Sequence, residues 1–442
     1  MNEQLTIGAY QVPVAYRPDV CIIGAGPAGL AAAVGASRSG LSVLLVEKYG
    51  FCGGAAVAGL SGTICGLFSS GKSPEQIVFG FAGEIYAALK KRNGVTDPFP
   101  FGKTLLVPHD SLKWKETADA LLEEHKCKIL YHSYFLKAVT NEEGAVSHLL
   151  IRGPGGEFAV APGCVIDASG DAEVVHGIQG ETFLGNNGVV QTPTMIFKMG
   201  NVEAAALRRL DPMEMENRIS AANRSGRYRL PPRHVYLFPL PNRGEVLCNM
   251  TRITYPDGSV PLGIDAEDIS FAEMEGRRQA REYSRFLIEN IEGFGDAYMA
   301  DTGVQVGIRQ TRSITGKAIL TNDDVLQARK TVNAVTHSAW PIELHEAGKL
   351  KIVSLEDNTY DIAFETQVPR SSVNLLVAGR CISAEHEALA SARVTAQCFG
   401  MGYAAGAACH LMMREKIPAC RLTGEAVTGW MKQNKLKTAH EQ

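Results

Sequence analysis

The stretch Asp19 to Glu47 reads DVCIIGAGPAGLAAAVGASRSGLSVLLVE, and it constrains the fold more than any other part of the chain. Val20 to Ile23 is a short apolar, β-branched run, as a parallel strand buried on both faces requires. Gly24-Ala25-Gly26-Pro27-Ala28-Gly29 follows at once. Leu30 to Ser39 is alanine-rich and favours helix, and Gly40 suits a left-handed cap. Ser42 to Val46 reads as a second apolar strand, ending at Glu47. A G-x-G-x-x-G pattern alone is weak. Here it follows a strand, opens a helix and has an acidic residue at the end of the next strand, which is the context of a dinucleotide site.

Each residue of that turn has a mechanical task. Gly24 permits the tight turn, Gly26 admits a pyrophosphate to the backbone, and Gly29 lets helix and strand pack closely. Pro27 and Ala28 open the helix, whose first N–H groups face the phosphates. Glu47, with Lys48 beside it, is placed to accept hydrogen bonds from an adenosine ribose, and its charge disfavours a 2′-phosphate. Gly50-Phe51-Cys52-Gly53-Gly54-Ala55-Ala56 then supplies a second small-residue segment, expected where a chain returns past a pyrophosphate and a flavin edge. An NAD dehydrogenase needs no such segment, so FAD is favoured, with Gly53, Gly54, Ala55 and Ala56 as contacts. Twelve of the chain's 45 glycines fall between Gly24 and Gly71, so the glycine surplus belongs largely to this cofactor region.

Composition excludes several classes. The net charge of −3 gives no basic face for nucleic acid. No apolar run approaches the roughly 20 residues of a membrane span. Met1 to Arg17 carries no basic segment followed by an apolar one, which predicts a cytoplasmic protein. Ten cysteines contain no C-x-x-C pair, so zinc ribbons and cysteine-ligated iron–sulfur clusters are not expected, and no metal site is read. Cys52 and Cys65 are too far apart, with the glycine pair between them, for a redox disulfide beside a flavin.

Further along, Pro108 to Cys127 reads as a helix, Lys128 to Tyr131 and Phe135 to Val139 as strands, and Ala145 to Val160 as a hairpin around Gly153-Pro154-Gly155-Gly156. Val165 to Asp171 is a strand running into a loop near the pyrophosphate, with Gly170 and Asp171 as candidate contacts. The middle of the chain has another texture. Charged helical stretches (Val202 to Asn223, Asp265 to Ile291) alternate with strand-like runs at Val235 to Pro239, Val246 to Arg252 and Ile314 to Leu320. A strand at Asn374 to Ala378, followed by Gly379 and Arg380, returns the chain to the first domain. A helix over about Ala390 to Met413 follows, with Gly402 and Gly406 spaced to admit a neighbouring backbone. The expected organisation is an FAD-binding domain over 17–184 and 366–415, split by an α+β substrate domain over 185–365, with a tail at 416–442. Gly293-Phe294-Gly295 lacks the context of a second dinucleotide site.

Four segments resemble the FAD-dependent oxidoreductase family, which is distantly related to fumarate reductase and succinate dehydrogenase flavoproteins. They are residues 19–59, VIDASGDAEVVHGIQG at 165–180, GIRQTRSITGKAILTNDDVLQARK at 307–330 with AWPIELHEAG at 339–348, and NLLVAGRCISAEHEALASARVTAQCFGMGYAAGAA at 374–408. The resemblance implies a Rossmann-like, glutathione-reductase-like α/β fold with a central parallel sheet. Glu47 to Ser70 contains no histidine, so noncovalent FAD is expected.

The expected reaction is hydride transfer between a small anionic or polar substrate and flavin N5, with a homo-oligomer or an electron-acceptor partner possible. Arg309 is the leading substrate-holding residue, ahead of Arg312. His345 is a proton-transfer candidate, ahead of His337. His386 and Arg393 are catalytic candidates that lie where the chain should return to the flavin, the structural alternative for Arg393 being a pair with Glu387 or Asp171. A helix N-terminus near Ala388 to Ser391 is expected to face the flavin pyrimidine. Two other readings stand beside this one: an electron-transfer subunit of a larger complex, and a flavin monooxygenase.

Overall fold

Val20–Ile23 and Val43–Val46 pair in parallel, and every residue of both is buried. They lie inside a five-stranded sheet ordered Leu375–Val377, Cys164–Asp167, Val20–Ile23, Val43–Val46, Lys128–Leu130. Every neighbouring pair in it is parallel. The computed structural model describes residues 10–207, 210–231, 235–346, 349–370 and 372–441. The chain leaves this sheet after Asp167 and rejoins it at Leu375, beside Cys164–Asp167. Val146–Gly153 and Gly156–Val160 form the expected hairpin, flanked by Tyr134–Thr140 and Val14–Tyr16.

One helix pair holds the sheet's face. Pro27–Arg38 crosses Thr395–Arg414 so closely that a Cβ on Gly402 would stand 2.0 Å from the Ala28 carbonyl oxygen. On Gly406 it would stand 2.2 Å from that of Ala32. The backbone admitted by the spaced glycines is thus the helix of the glycine turn itself. The single helix expected over about 390–413 is two helices, His386–Ala392 and Thr395–Arg414. Val394 between them is extended, with ψ 163°. The break carries Arg393 out of the helix seam to Gln191, at 3.1 Å.

A second apolar core covers residues 195–306. Its antiparallel sheet runs Tyr236–Pro239, Val246–Asn249, Phe197–Gly200, Tyr298–Thr302. The helix Ala266–Asn290 lies over it and buries Ala272, Gly276, Ala280, Tyr283 and Leu287, a stripe at helical spacing. Asp265 caps its start, accepting from the Glu267 and Asp268 N–H groups. The helical expectation over 202–223 is met by Ala204–Leu207 and Pro212–Arg224, with 208 and 209 outside the described residues.

Residues 314–364, inside the expected 185–365 insert, place Ile314, Val335, Ile342, Tyr360 and Phe364 in the larger core with the parallel sheet. The strand expected at Ile314 to Leu320 is Arg312–Ile314, paired with Thr182–Leu184. Beyond it the Lys317 N–H goes to the Val368 carbonyl and the Leu320 N–H to the Ser383 carbonyl. The tail also joins this core, through Val427 and Met431 of the helix Gly424–Gln433. Among the described residues no helix is long and apolar enough to cross a membrane.

Candidate active site

The glycine turn is built as its residue types require. Gly24 has φ +95°, and a Cβ there would meet the Ala168 carbonyl oxygen at 2.6 Å. A Cβ on Gly29 would stand 1.8 Å from the Gly24 oxygen, so this glycine serves the packing of helix on strand. Gly26 is different. It is the N-cap residue, with no side-chain cap, and a Cβ on it would find only the Gly54 Cα, at 3.8 Å. The helix start therefore presents uncapped N–H groups toward open space. Glu47 braces the turn, accepting from the Ala25 N–H at 2.6 Å and the Tyr49 N–H at 2.9 Å. A carboxylate has about four acceptor sites, so capacity remains for ribose hydroxyls. Burial pushes the Glu47 carboxyl upward.

That open space is a long cavity fed by the carboxyl ends of four parallel strands, where ligands of open α/β sheets bind. Its wall takes in Gly24, Gly26, Pro27, Ala28, Glu47, Lys48, Gly54, Ala55, Ala56, Gly170, Asp171, Gly379 and Arg380. Arg309, His345 and Arg393 lie on the same wall. Three expected residues do not. Gly29 is spent on packing. Gly53 has φ +138° and shapes the turn before Gly54, donating its N–H to the Ala25 carbonyl. His386 opens the short helix ahead of the break, and Ala390 is the first residue of that helix to reach the wall. The helix N-terminus on the wall is the second one, at Val394 and Thr395, rather than Ala388 to Ser391. Arg312 donates to the Asp171 carbonyl at 3.4 Å, and His337 stacks on His440.

Three of the four sequence segments are latched together here. Asp171 Oδ1 accepts from Arg380 at 2.8 Å and from the Thr311 hydroxyl at 2.6 Å. Arg380 also donates to Thr311 Oγ, at 3.2 Å. Asp171 is thus committed to Arg380, and Glu387 pairs with Lys351, so neither is the partner of Arg393.

Deeper in the cavity lies a buried cluster. Ile342–Glu346 is a strand, so Glu343 and His345 point to one face. Glu343 Oε1 lies 3.0 Å from His345 Nε2. Burial, then the nearby Arg309 charge, pushes His345 down to about 4. Burial pushes the Glu343 carboxyl up, but the His345 hydrogen bond and the charges of Arg309 and Arg393 hold it below its ordinary value. Burial lowers the Arg393 guanidinium to about 10, against the pull of Glu343. At neutral pH the cluster is two guanidiniums, one carboxylate and one neutral imidazole. Arg309 donates to the Thr192 carbonyl at 2.7 Å. Arg393 Nε and Trp340 Nε1 are buried with no partner among the described residues.

The sequence model described as FAD dependent oxidoreductase matches residues 19–429. The chain belongs to this family. It is an FAD-dependent oxidoreductase, and its cofactor is FAD. Over a 36-residue stretch, 8% of the chain, it is 72% identical to thioredoxin reductase from Ureaplasma parvum serovar 3 (strain ATCC 700970). That match spans 11% of the relative's length. Among solved structures it is similar to a geranylgeranyl bacteriochlorophyll reductase-like protein from Thermoplasma acidophilum. Identity there is 14% and the TM-score 0.48, with 96% of this chain and 84% of the other covered. The flavin-dependent brominase Bmp2 gives 13% identity and a TM-score of 0.49, covering 95% and 84%.

The residues of this FAD-dependent oxidoreductase fit the cofactor. The uncapped helix start suits a pyrophosphate, the remaining Glu47 lone pairs suit a ribose, and Gly26 leaves the space a Cβ would fill. Sequence reasoning missed several wall residues. Glu173 is pushed up to about 7 by burial and by Asp171 and Asp167. Ser133, Tyr134 and Phe135 line the wall, as do Phe101, Tyr236, Phe238 and Trp340. Glu343 alone carried a readable signal, its i,i+2 spacing from His345 on a strand.

Proposed function

We propose that this oxidoreductase transfers a hydride between a small carboxylate-bearing substrate and FAD held noncovalently in the glycine-turn cavity. When bound, FAD supplies the two-electron acceptor or donor. The observation that carries the reading is the buried cluster of Arg309, Glu343, His345 and Arg393. Within it Arg393 Nε is buried with no partner among the described residues, and a buried charged donor without an acceptor is costly until one joins it. A substrate carboxylate meets that need and takes paired N–H donors in a fork. Glu343 can only accept, so it fixes the proton of His345 on Nε2 and leaves Nδ1 as the acceptor. His345 then removes a substrate proton in the oxidative direction and returns it in the reverse. We assign the substrate-facing insert to residues 195–306, the span of the second core.

An anaerobic titration of the holoprotein with hydroxy- and amino-carboxylates tests this, followed by flavin absorbance. At least one should bleach the flavin, and Arg309→Ala should keep the flavin but lose the bleaching. Bleaching by neutral substrates that is indifferent to Arg309→Ala overturns the carboxylate assignment. Acid precipitation should release all the FAD; yellow colour left on the precipitate overturns noncovalent attachment.

A further inference from the structure

A second cavity of about 370 Å³ adjoins the first, within the range of about 300 to 1,000 Å³ usual for small-molecule sites. Phe101, Tyr236 and Phe238 line both cavities, so the partition is one side chain thick. Phe101 stacks on Trp340 of the first cavity, with ring centroids 5.2 Å apart and planes 6° apart. It also leans on Tyr236, at 5.2 Å. Beyond this aromatic partition the wall is mostly carbon, including Phe99, Leu210, Met215, Leu237 and Ile352.

Among the described residues, the few polar groups on that wall are already used. Lys103 is paired with Glu356 at 2.6 Å, and the Ser70 hydroxyl donates to the Glu356 carbonyl. Thr104 Oγ donates to the Ser69 carbonyl at 2.8 Å. Asp211 accepts from the Glu214 N–H at 2.9 Å as the cap of its helix. Ser354 Oγ accepts from the Glu356 N–H at 3.3 Å. Among the described residues, a ligand entering this cavity meets apolar surface and satisfied polar atoms.

We infer that the second cavity is the annex for the apolar body of the substrate, which makes the substrate an amphipathic carboxylate. This rests on the carboxylate reading above for its head group. The head is held at Arg309 and Arg393, the middle passes the Phe101–Tyr236–Phe238 partition, and the tail displaces water from the annex. Binding gains come from apolar burial, about fourfold in affinity for each added methylene.

Calorimetric titration of the holoprotein with butanoate, hexanoate, octanoate and octanamide tests both parts separately. The dissociation constant should fall about fourfold per methylene along the carboxylates. Ile352→Trp fills the annex from its half-exposed rim, and Met215→Trp fills it from inside. Either should flatten the series while leaving butanoate binding within about twofold, a few tenths of a kcal/mol. Ile352→Trp disturbs no core, so the test survives if Met215→Trp fails to fold. Carboxylates that bind equally at every length, or a slope unchanged in both variants, overturn the annex and leave the carboxylate reading standing. Octanamide binding as tightly as octanoate, with the length dependence intact, overturns the anionic head and leaves the annex. Failure of every probe to bind overturns both.

Discussion

Gly26 and Gly29 are three residues apart, and a methyl group harms each for a different reason. At Gly26 the backbone is extended at the N-cap and the added Cβ projects into the cofactor cavity. Gly26→Ala should leave the melting temperature of the FAD-free protein unchanged and weaken FAD about tenfold or more, roughly 1.4 kcal/mol. At Gly29 the Cβ strikes the Gly24 carbonyl. Gly29→Ala should destabilise the fold by about 1–3 kcal/mol, the range for overpacked cores. Thermal unfolding and FAD titration of both variants separate the two roles; a cofactor defect without a stability defect in Gly29→Ala would contradict the assignment. Glu343 is tested in the same spirit. Glu343→Gln keeps the shape but no longer fixes the His345 tautomer, so single-turnover flavin reduction should slow about a hundredfold with FAD retained. The base works only as neutral imidazole. Reduction should therefore fall as pH drops through about 4, where His345 takes its proton. The Glu343 carboxylate raises that value, so the acid limb should move to still lower pH in Glu343→Gln.

At the scale of elements, the parallel sheet and the glycine turn were legible because strands buried on both faces are unbroken apolar runs. Arg309, His345 and Arg393 were legible through their segments. The break at Arg393–Val394 was not, because Ala392 to Thr395 contains neither glycine nor proline. What accompanies it is a tertiary contact, the hydrogen bond from the buried Arg393 guanidinium to Gln191. The aromatic wall was hidden for a related reason, since Phe101, Phe238 and Trp340 come from distant parts of the chain and converge only on folding. The helix crossing of Pro27–Arg38 with Thr395–Arg414 offers a controlled prediction. Gly406→Ala drives a Cβ to 2.2 Å from the Ala32 oxygen and should cost about 1–3 kcal/mol. Gly429, in the helix Gly424–Gln433, has no atom within 4 Å of an added Cβ. Gly429→Ala should stabilise by up to about 1 kcal/mol through helix propensity alone. Chemical denaturation of both variants decides it: equal effects would mean the close crossing carries no strain.

For the whole molecule, the buried histidines set the acid limit of stability. His109, His337 and His345 are each lowered from 6.5 to about 4, chiefly by burial. His109 packs 4.6 Å from Trp114, and neither of its ring nitrogens has a partner among the described residues. A histidine whose folded value is depressed binds its proton more readily when unfolded. Its contribution to stability is complete above about 6.5 and is lost as pH falls toward 4, at about 1.4 kcal/mol per pH unit for each group. Glu173 works in the opposite sense. Its value is raised to about 7, so it takes up a proton in the folded state first and adds stability as pH falls from 7 to 4.5. His125, His386 and His440 are lowered by burial as well, and Glu47 and Asp167 are raised like Glu173, so six histidines against three carboxyls leave a net loss on the acid side. The melting temperature of the FAD-free protein should hold between pH 7 and 8 and fall steeply from 6.5 to 4. His109→Phe removes one proton-linked group beside Trp114 and should make that descent shallower. A melting temperature that is flat or rising across the same interval would mean that these imidazoles reach water, and that the core around Trp114 is more open than its burial indicates.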